Sequence, residues 1–309
     1  MSASEGPLPS RAPLDQKGAE RFDREVVPRW NAVFGKLLID ALDFPPKSTT
    51  LEVGCGTGTL TLSILEKADP TSRVIALDRG GPAMEMARHR AGSLAGRRVF
   101  FKTERDARLN FAPEVFDRVV ANLLIADLPD PTQTLREMRR VLKRGGRLAV
   151  SLPFKGSYLE VFDLLREVLL KFEIEGAMRR LDERIERMPD ERRAVALLED
   201  AGFSEVEVRR EAFSLPFRSS KELFADAIVE TVLVADLRRI AGEPAWDRTL
   251  FHLRQAIDTY FSGSTFTLNV VAAGVFGTRP AVGVDLSGRD AEPSDVEILE
   301  SSPDDEPTL

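Results

Sequence analysis

Leu51-Glu52-Val53-Gly54-Cys55-Gly56-Thr57-Gly58 is the stretch on which the reading of this chain turns. Thr50 to Val53 is a short buried strand that runs directly into glycines at positions 54, 56 and 58. Closely spaced glycines after a strand let the backbone approach a ligand where a Cβ would collide. The helical pattern that follows, through Leu60, Leu62, Ile64 and Leu65, presents unpaired N–H groups and the positive end of a helix dipole. A phosphate or the carboxylate of an amino acid suits such donors. Counted from Gly54, the third glycine of the dinucleotide fingerprint G-x-G-x-x-G would fall on Thr59. The pattern here is instead E-x-G-x-G-x-G, and Glu52 is a poor neighbour for pyrophosphate but a good one for a cation. About twenty residues beyond Gly58, Asp78 ends the second strand, where a carboxylate accepts both hydroxyls of a ribose.

Outward from this turn, strands and helices alternate. Residues 1–17 read as a disordered lead, and Phe22, Val26, Trp30, Val33, Phe34, Leu37 and Leu38 predict one or two helices between Gly18 and Leu42. Arg73–Asp78 is the second strand, followed by a helix around Pro82–Arg90. Val99–Lys102 and Phe116–Asn122 are the third and fourth strands. Thr132–Leu142 is an amphipathic helix closed by a turn at Lys143-Arg144-Gly145-Gly146, and Arg147–Leu152 is the fifth strand. Such alternation predicts a mostly parallel sheet with helices on both faces. Val206–Leu215 and Thr265–Gly277 are late strands that finish it as an antiparallel hairpin. Helical patterns at about 157–190 and 219–262 read as cap insertions within one domain spanning 18–280.

In combination these residues resemble the class I S-adenosylmethionine-dependent methyltransferases, in particular the group that includes quinone C-methyltransferases and the malonyl-carrier-protein O-methyltransferase. The resemblance is carried by Glu52–Gly58, by Asp78 with Pro82, Met84 and Ala87, by Asp106-Ala107-Arg108-Leu109, by Phe116-Asp117 and Ala121-Asn122-Leu123-Leu124 with Leu128–Pro131, and by Arg139–Leu148. It implies an α/β, Rossmann-like fold with a seven-stranded, mostly parallel sheet and an antiparallel last strand. It also implies S-adenosyl-L-methionine as cofactor, S-adenosyl-L-homocysteine as product, and a cofactor site made of Glu52, Gly54, Cys55, Gly56, Gly58, Asp78, Arg79, Asp106, Ala107, Asn122 and Leu123. Asp106 would meet the adenine amino group. Coverage is good from about Phe22 to Pro153 and weak beyond.

The acceptor is less legible. Enzymes that methylate planar amines carry Asn-Pro-Pro-aromatic at the exit of the fourth strand, whereas Asn122 is followed here by Leu123-Leu124-Ile125. Many quinone-type relatives carry two histidines a few residues on, where this chain has Ala126-Asp127. Asp127 and His252 are the candidate bases, each with an ordinary structural alternative as a helix cap or as filler. Tyr158, Phe162, Leu165, Phe217, Phe224 and Phe261 either line an apolar acceptor site or form helix–sheet core. The reading is a methyltransferase acting on a small, lipophilic or carrier-bound acceptor. Two others stand beside it: a binding or regulatory protein of the same fold without turnover, and a nicotinamide-dependent oxidoreductase, which Thr59 and Glu52 disfavour.

Composition sets the remaining limits. The 309 residues carry a net charge of −7, yet the segment from Ala281 to Leu309 alone holds nine acidic residues against Arg289. The rest of the chain is therefore near neutral, and no basic field for a nucleic-acid backbone is expected. The acidic, Ser/Pro-rich tail at 281–309 reads as disordered, and Val296-Glu297-Ile298-Leu299 within it could dock a protein partner. Cys55 is the single cysteine, and only His89 and His252 could supply imidazole, so no metal site is expected. Neither a signal peptide nor a membrane-spanning stretch is visible, and a cytoplasmic location is the expectation.

Overall fold

The structure, a computed structural model, describes residues 14–104, 109–128 and 131–281. The chain begins with α1 (Gln16–Arg21), a π-helical turn (Phe22–Val26) and α2 (Asn31–Ala41). There follow β1 (Thr49–Val53), α3 (Thr59–Lys67), β2 (Arg73–Asp78), α4 (Pro82–Ala91), β3 (Val99–Thr103) and β4 (Phe116–Asn122). Next come α5 (Pro131–Val141), β5 (Leu142–Pro153), α6 (Leu159–Lys171), α7 (Ala177–Arg187), α8 (Glu191–Asp200) and β6 (Ser204–Phe217). The helices α9 (Ser220–Ala225), α10 (Ala227–Val229), α11 (Ala235–Ala241) and α12 (Trp246–Tyr260) lead to β7 (Phe266–Thr278), with a second π-turn at Glu230–Val234.

The seven strands lie in the order β3-β2-β1-β4-β5-β7-β6. The first five are parallel, and β7 is antiparallel to both β5 and β6. This is the Rossmann-like arrangement that the alternation implied. Strand order reverses between β1 and β4, and in open α/β sheets that switch point is where ligands bind, outside the carboxyl ends of the strands.

Period-two alternation distributes side chains between the two faces. Leu51, Val53, Val119, Ala121, Leu148 and Val150 pack against α5 and α8 on one face. Val120, Ala149 and Phe276 pack against α2 and α3 on the other, where α4 also lies. Glu52 sits between Leu51 and Val53, so the same alternation turns it toward α3. A third apolar cluster gathers α6, α7, α9–α12 and the first half of β7. Tyr158, Phe162, Leu165 and Phe217 are buried inside it, while Phe224 and Phe261 are partly buried against it, so these aromatics act as core.

Two boundaries differ from the sequence reading. The first helix starts at Gln16, capped by the Asp15 side chain accepting from Gly18 N, ahead of the expected boundary at residue 18. The expected turn at Lys143–Gly146 lies inside β5 as a register shift, since Leu142 pairs with Phe116 and Arg147 already pairs with Arg118. A Cβ on Gly146 would stand 2.8 Å from the Lys143 carbonyl oxygen, which is why the irregularity falls on glycine. Among the described residues, no helix is long and apolar enough to cross a membrane, and no group of three His, Cys, Asp or Glu side chains could hold a metal ion. The expected tail and docking segment lie outside the described residues.

Candidate functional site

The carboxyl ends of β1, β2 and β4 converge on the glycine turn. Gly54 N and Cys55 N both donate to the Leu77 carbonyl at 2.9 Å, which fastens the turn to the end of β2. Gly56 and Gly58 have left-handed backbones, with φ of 53° and 82°, but they serve different purposes. A Cβ on Gly58 would lie 2.8 Å from the Cβ of Ala87, so this glycine lets α4 pack on the turn. A Cβ on Gly56 would meet nothing within 4 Å, so this glycine borders open space.

Two carboxylates flank the turn. Asp78 Oδ2 accepts from Gly56 N at 2.7 Å, and its Oδ1 accepts from Arg79 N at 2.7 Å. Burial raises the Asp78 carboxyl above the usual carboxylate range, opposed by these two amide donors and by the Arg79 charge. Glu52 is fully buried and accepts from the Thr61 hydroxyl at 2.5 Å. Burial pushes its carboxyl up to about 7; the Thr61 hydrogen bond opposes that rise and the charge of Asp78 adds to it. The Cys55 thiol is buried and likewise pushed well upward, first by burial and then by Glu52 and Asp78, so it is no nucleophile.

The exit of β4 forms the other wall. Asn122 is tied at both ends: its Nδ2 donates to the Asn31 carbonyl at 2.9 Å, and its Oδ1 accepts from Ser151 Oγ at 2.6 Å. Leu123 holds a left-handed backbone with φ of 58° and donates its N–H to Ser151 Oγ at 3.0 Å. A non-glycine residue in that region costs on the order of 1 kcal/mol or more, and such strain collects at ligand sites. A cavity of about 140 Å³ opens between α2 and α3, lined among others by Asn31, Thr59, Leu60, Ser63 and Asn122. Asn31 Oδ1 is buried beside it and has no hydrogen-bond partner among the described residues.

The structure thus brings together Glu52, Gly54, Cys55, Gly56, Gly58, Asp78 and Arg79 around one turn, with Asn122 and Leu123 at the neighbouring strand end. Asp106 and Ala107 lie outside the described residues. Asp127 closes a single turn of 3-10 helix, Ile125–Asp127, after β4. His252 is elsewhere, on α12, with its ring stacked on Phe172 at 4.0 Å between centroids and its Nδ1 3.2 Å from Gln255 Oε1. Thr61, Asn31 and Ser151 went unnoticed in the sequence. Only Thr61 carried a signal, lying one helical turn beyond Gly58 on the face that returns to β1.

A family model described as "Methyltransferase domain" matches residues 46–202, about half of the chain. The chain belongs to this methyltransferase family. S-adenosylmethionine is the family's cofactor. The 2-phytyl-1,4-naphtoquinone methyltransferase of Thermosynechococcus vestitus is 30% identical over 118 residues, covering 38% of this chain and 52% of that protein. The demethylmenaquinone methyltransferase of Lactococcus lactis is 29% identical over 169 residues, covering 52% of this chain and 67% of that protein. The chain thus spans about half the length of the first of these relatives. Among solved structures, the phosphoethanolamine N-methyltransferase 2 of Haemonchus contortus superposes with a TM-score of 0.53 at 14% identity, over 87% of this chain and 59% of that one. At that identity the likeness concerns the fold alone.

Proposed function

We propose that this protein transfers a methyl group from S-adenosylmethionine to a small, apolar acceptor of the quinone or carrier-bound type. The observation that carries the cofactor half is the Asp78 carboxylate held against the Gly56 amide, beside an open face of the turn. The residues fit the group. Asp78 would take the ribose hydroxyls, and the uncapped N-terminus of α3 would take the carboxylate of the amino-acid end. The orphaned Asn31 Oδ1 would accept from its ammonium. Glu52, buried with a hydroxyl as partner, would compensate a positive ligand.

When bound, the cofactor supplies a methyl group on a good, neutral leaving group. The chain's own residues then mainly align an acceptor and keep water out. Leu123, partly buried against the cap cluster, gives the β4 exit an apolar wall, while Leu124 and Ile125 are buried in the core beside α5. That wall suits an acceptor that arrives as an enolate, phenolate or carboxylate and needs no strong base. The two relatives named for quinone methylation support this choice. We further propose one methyltransferase domain over 18–280 with acceptor-shaping insertions at 157–190 and 219–262.

Calorimetric titration with S-adenosylhomocysteine tests the cofactor half, with Asp78→Ala and NADH as controls. Micromolar binding, lost in the variant and absent for NADH, is expected; no binding by folded wild type would sink the reading. Formation of S-adenosylhomocysteine with quinol, phenol and carboxylate acceptors then tests turnover. Tight cofactor binding with no turnover on any of them would favour the regulatory alternative.

A further inference from the structure

The N-terminal segment is tied to both sides of the site, at Asp23 and at Asn31. Arg90, in the last turn of α4, donates from Nη1 to the Thr57 carbonyl at 2.7 Å, to Thr59 Oγ1 at 2.9 Å and to Thr57 Oγ1 at 3.3 Å. From Nη2 the same guanidinium donates to both Asp23 oxygens, at 2.8 and 2.7 Å. One side chain therefore joins the glycine turn to the first π-turn, across 67 positions of sequence. Farther along, Asn31 accepts from Asn122 at the end of β4. Residues 16–30 thus run from the turn after β1 to the exit of β4, the two sides of the switch point. Away from the sheet the segment meets the cap: Arg21 pairs with Glu230 at 2.8 Å and Arg29 with Asp226 at 2.7 Å. Glu230 opens the second π-turn and Arg21 immediately precedes the first, so this ion pair joins the two π-turns. π-turns are locally wider than α-helix and collect at functional sites.

We propose that residues 16–30 form a strap over the cofactor site, that the Asp23–Arg90 pair is its latch, and that Arg90 is a positioning residue controlling cofactor exchange. This rests on the cofactor reading above. The chemistry of the pair is suited to a latch. Both Asp23 oxygens accept from one guanidinium nitrogen, a charge-assisted contact that leaves the other arm on the turn, and the pair is only partly buried, with 30% and 18% of the two side chains exposed. Such a pair can open without stranding a charge in a dry interior. The Thr57 and Thr59 bonds keep Arg90 on the turn when Asp23 leaves, so opening moves the strap and leaves the turn in place.

The test is stopped-flow measurement of S-adenosylhomocysteine association and dissociation for wild type, Asp23→Asn and Asp23→Glu, with each variant's melting temperature checking its fold. The nearly isosteric Asp23→Asn should raise the dissociation rate about fivefold. It should raise the association rate as well, so the dissociation constant moves less than either rate, and Asp23→Glu should restore both. A dissociation rate that stays the same, or one that rises while association does not, overturns the latch. Amide exchange over residues 16–30 in ligand-free protein reads the pair without the cofactor: faster exchange in Asp23→Asn is expected, and unchanged exchange also overturns it. If folded wild type binds no S-adenosylhomocysteine, the cofactor reading fails, and the exchange arm still decides whether the strap is latched.

Discussion

Asp78 Oδ2 accepts the Gly56 amide at 2.7 Å, so the carboxylate at the end of β2 and the glycine at the end of β1 hold each other in place before any ligand arrives. Asp78→Asn keeps an oxygen for the Gly56 amide but sets its NH2 against the Arg79 N–H, so a stability loss of about 1–3 kcal/mol should accompany it. It loses one charged acceptor for a pair of hydroxyls. Affinity for S-adenosylhomocysteine should fall about tenfold to a hundredfold by calorimetry. An unchanged affinity would remove Asp78 from the ribose site.

Glu52 predicts a pH dependence whose sign can be worked out. Its carboxyl is raised from 4.5 to about 7 by burial, so the folded chain keeps a proton that the unfolded chain has released. Stability from this group is fully present below about pH 4.5 and is lost as pH rises through about 7, a change on the order of 3 kcal/mol. Glu52→Gln should flatten that slope and melt higher than wild type at pH 8. A cation in the site favours the ionised form, so S-adenosylmethionine should bind up to about tenfold more tightly at pH 8 than at pH 6. The uncharged thioether of S-adenosylhomocysteine should show a smaller rise. Parallel pH profiles for the two ligands would exclude Glu52 as the sulfonium's counter-charge.

The two glycines separate packing from binding. Gly58→Ala drives a methyl group against Ala87 in a left-handed backbone and should cost about 2–4 kcal/mol in denaturant unfolding. Gly56→Ala meets only the backbone penalty of about 1 kcal/mol, yet puts a methyl group into the open face and should abolish cofactor binding. The reverse order of stability losses would mean that α4 is not seated on the turn as described.

Ser151→Ala should separate the acceptor side from the cofactor side. Ser151 Oγ donates to Asn122 Oδ1 and accepts from Leu123 N, so its loss loosens the strained β4 exit, which keeps the Leu123 N–H bond to the Ser151 carbonyl. A destabilisation of about 1–3 kcal/mol is expected. Turnover should fall more than cofactor affinity, measured by single-turnover rates beside calorimetry. Equal losses in both would place the β4 exit in the cofactor site alone.

What could be read from sequence and what could not follows from the range of the interactions. The five parallel strands, the glycine turn, Glu52 and Asp78 announce themselves because each depends on neighbours a few residues away and on one alternation. The Leu142–Gly146 segment misled, since two glycines after a helix look like a turn until pairing with β4 absorbs them as a bulge. The aromatics Tyr158, Phe162 and Phe217 could have been pocket or core, and only their packing decides for core. Arg90, Asp23, Asn31 and Ser151 were illegible: each acts through a partner tens of residues away, and nothing in its local sequence sets it apart. The packing of the cap was hidden for the same reason, because α6–α7 and α9–α12 meet in one apolar cluster from separate parts of the chain.

The position of β7 has a consequence for synthesis. Among the described strands it is the last to be synthesised, yet it lies between β5 and β6 rather than at an edge. Helix α2, made among the first, packs on β7, and Phe34 and Leu38 share apolar clusters with its residues. Until Phe266–Thr278 has emerged, β6 has no sheet to join and the N-terminal segment lacks part of its support. The parallel half can assemble early, but the helical cap packed on the first half of β7 waits for that strand. Nascent chains halted before it would present an unpaired β5 edge, the kind of surface that chaperones shield.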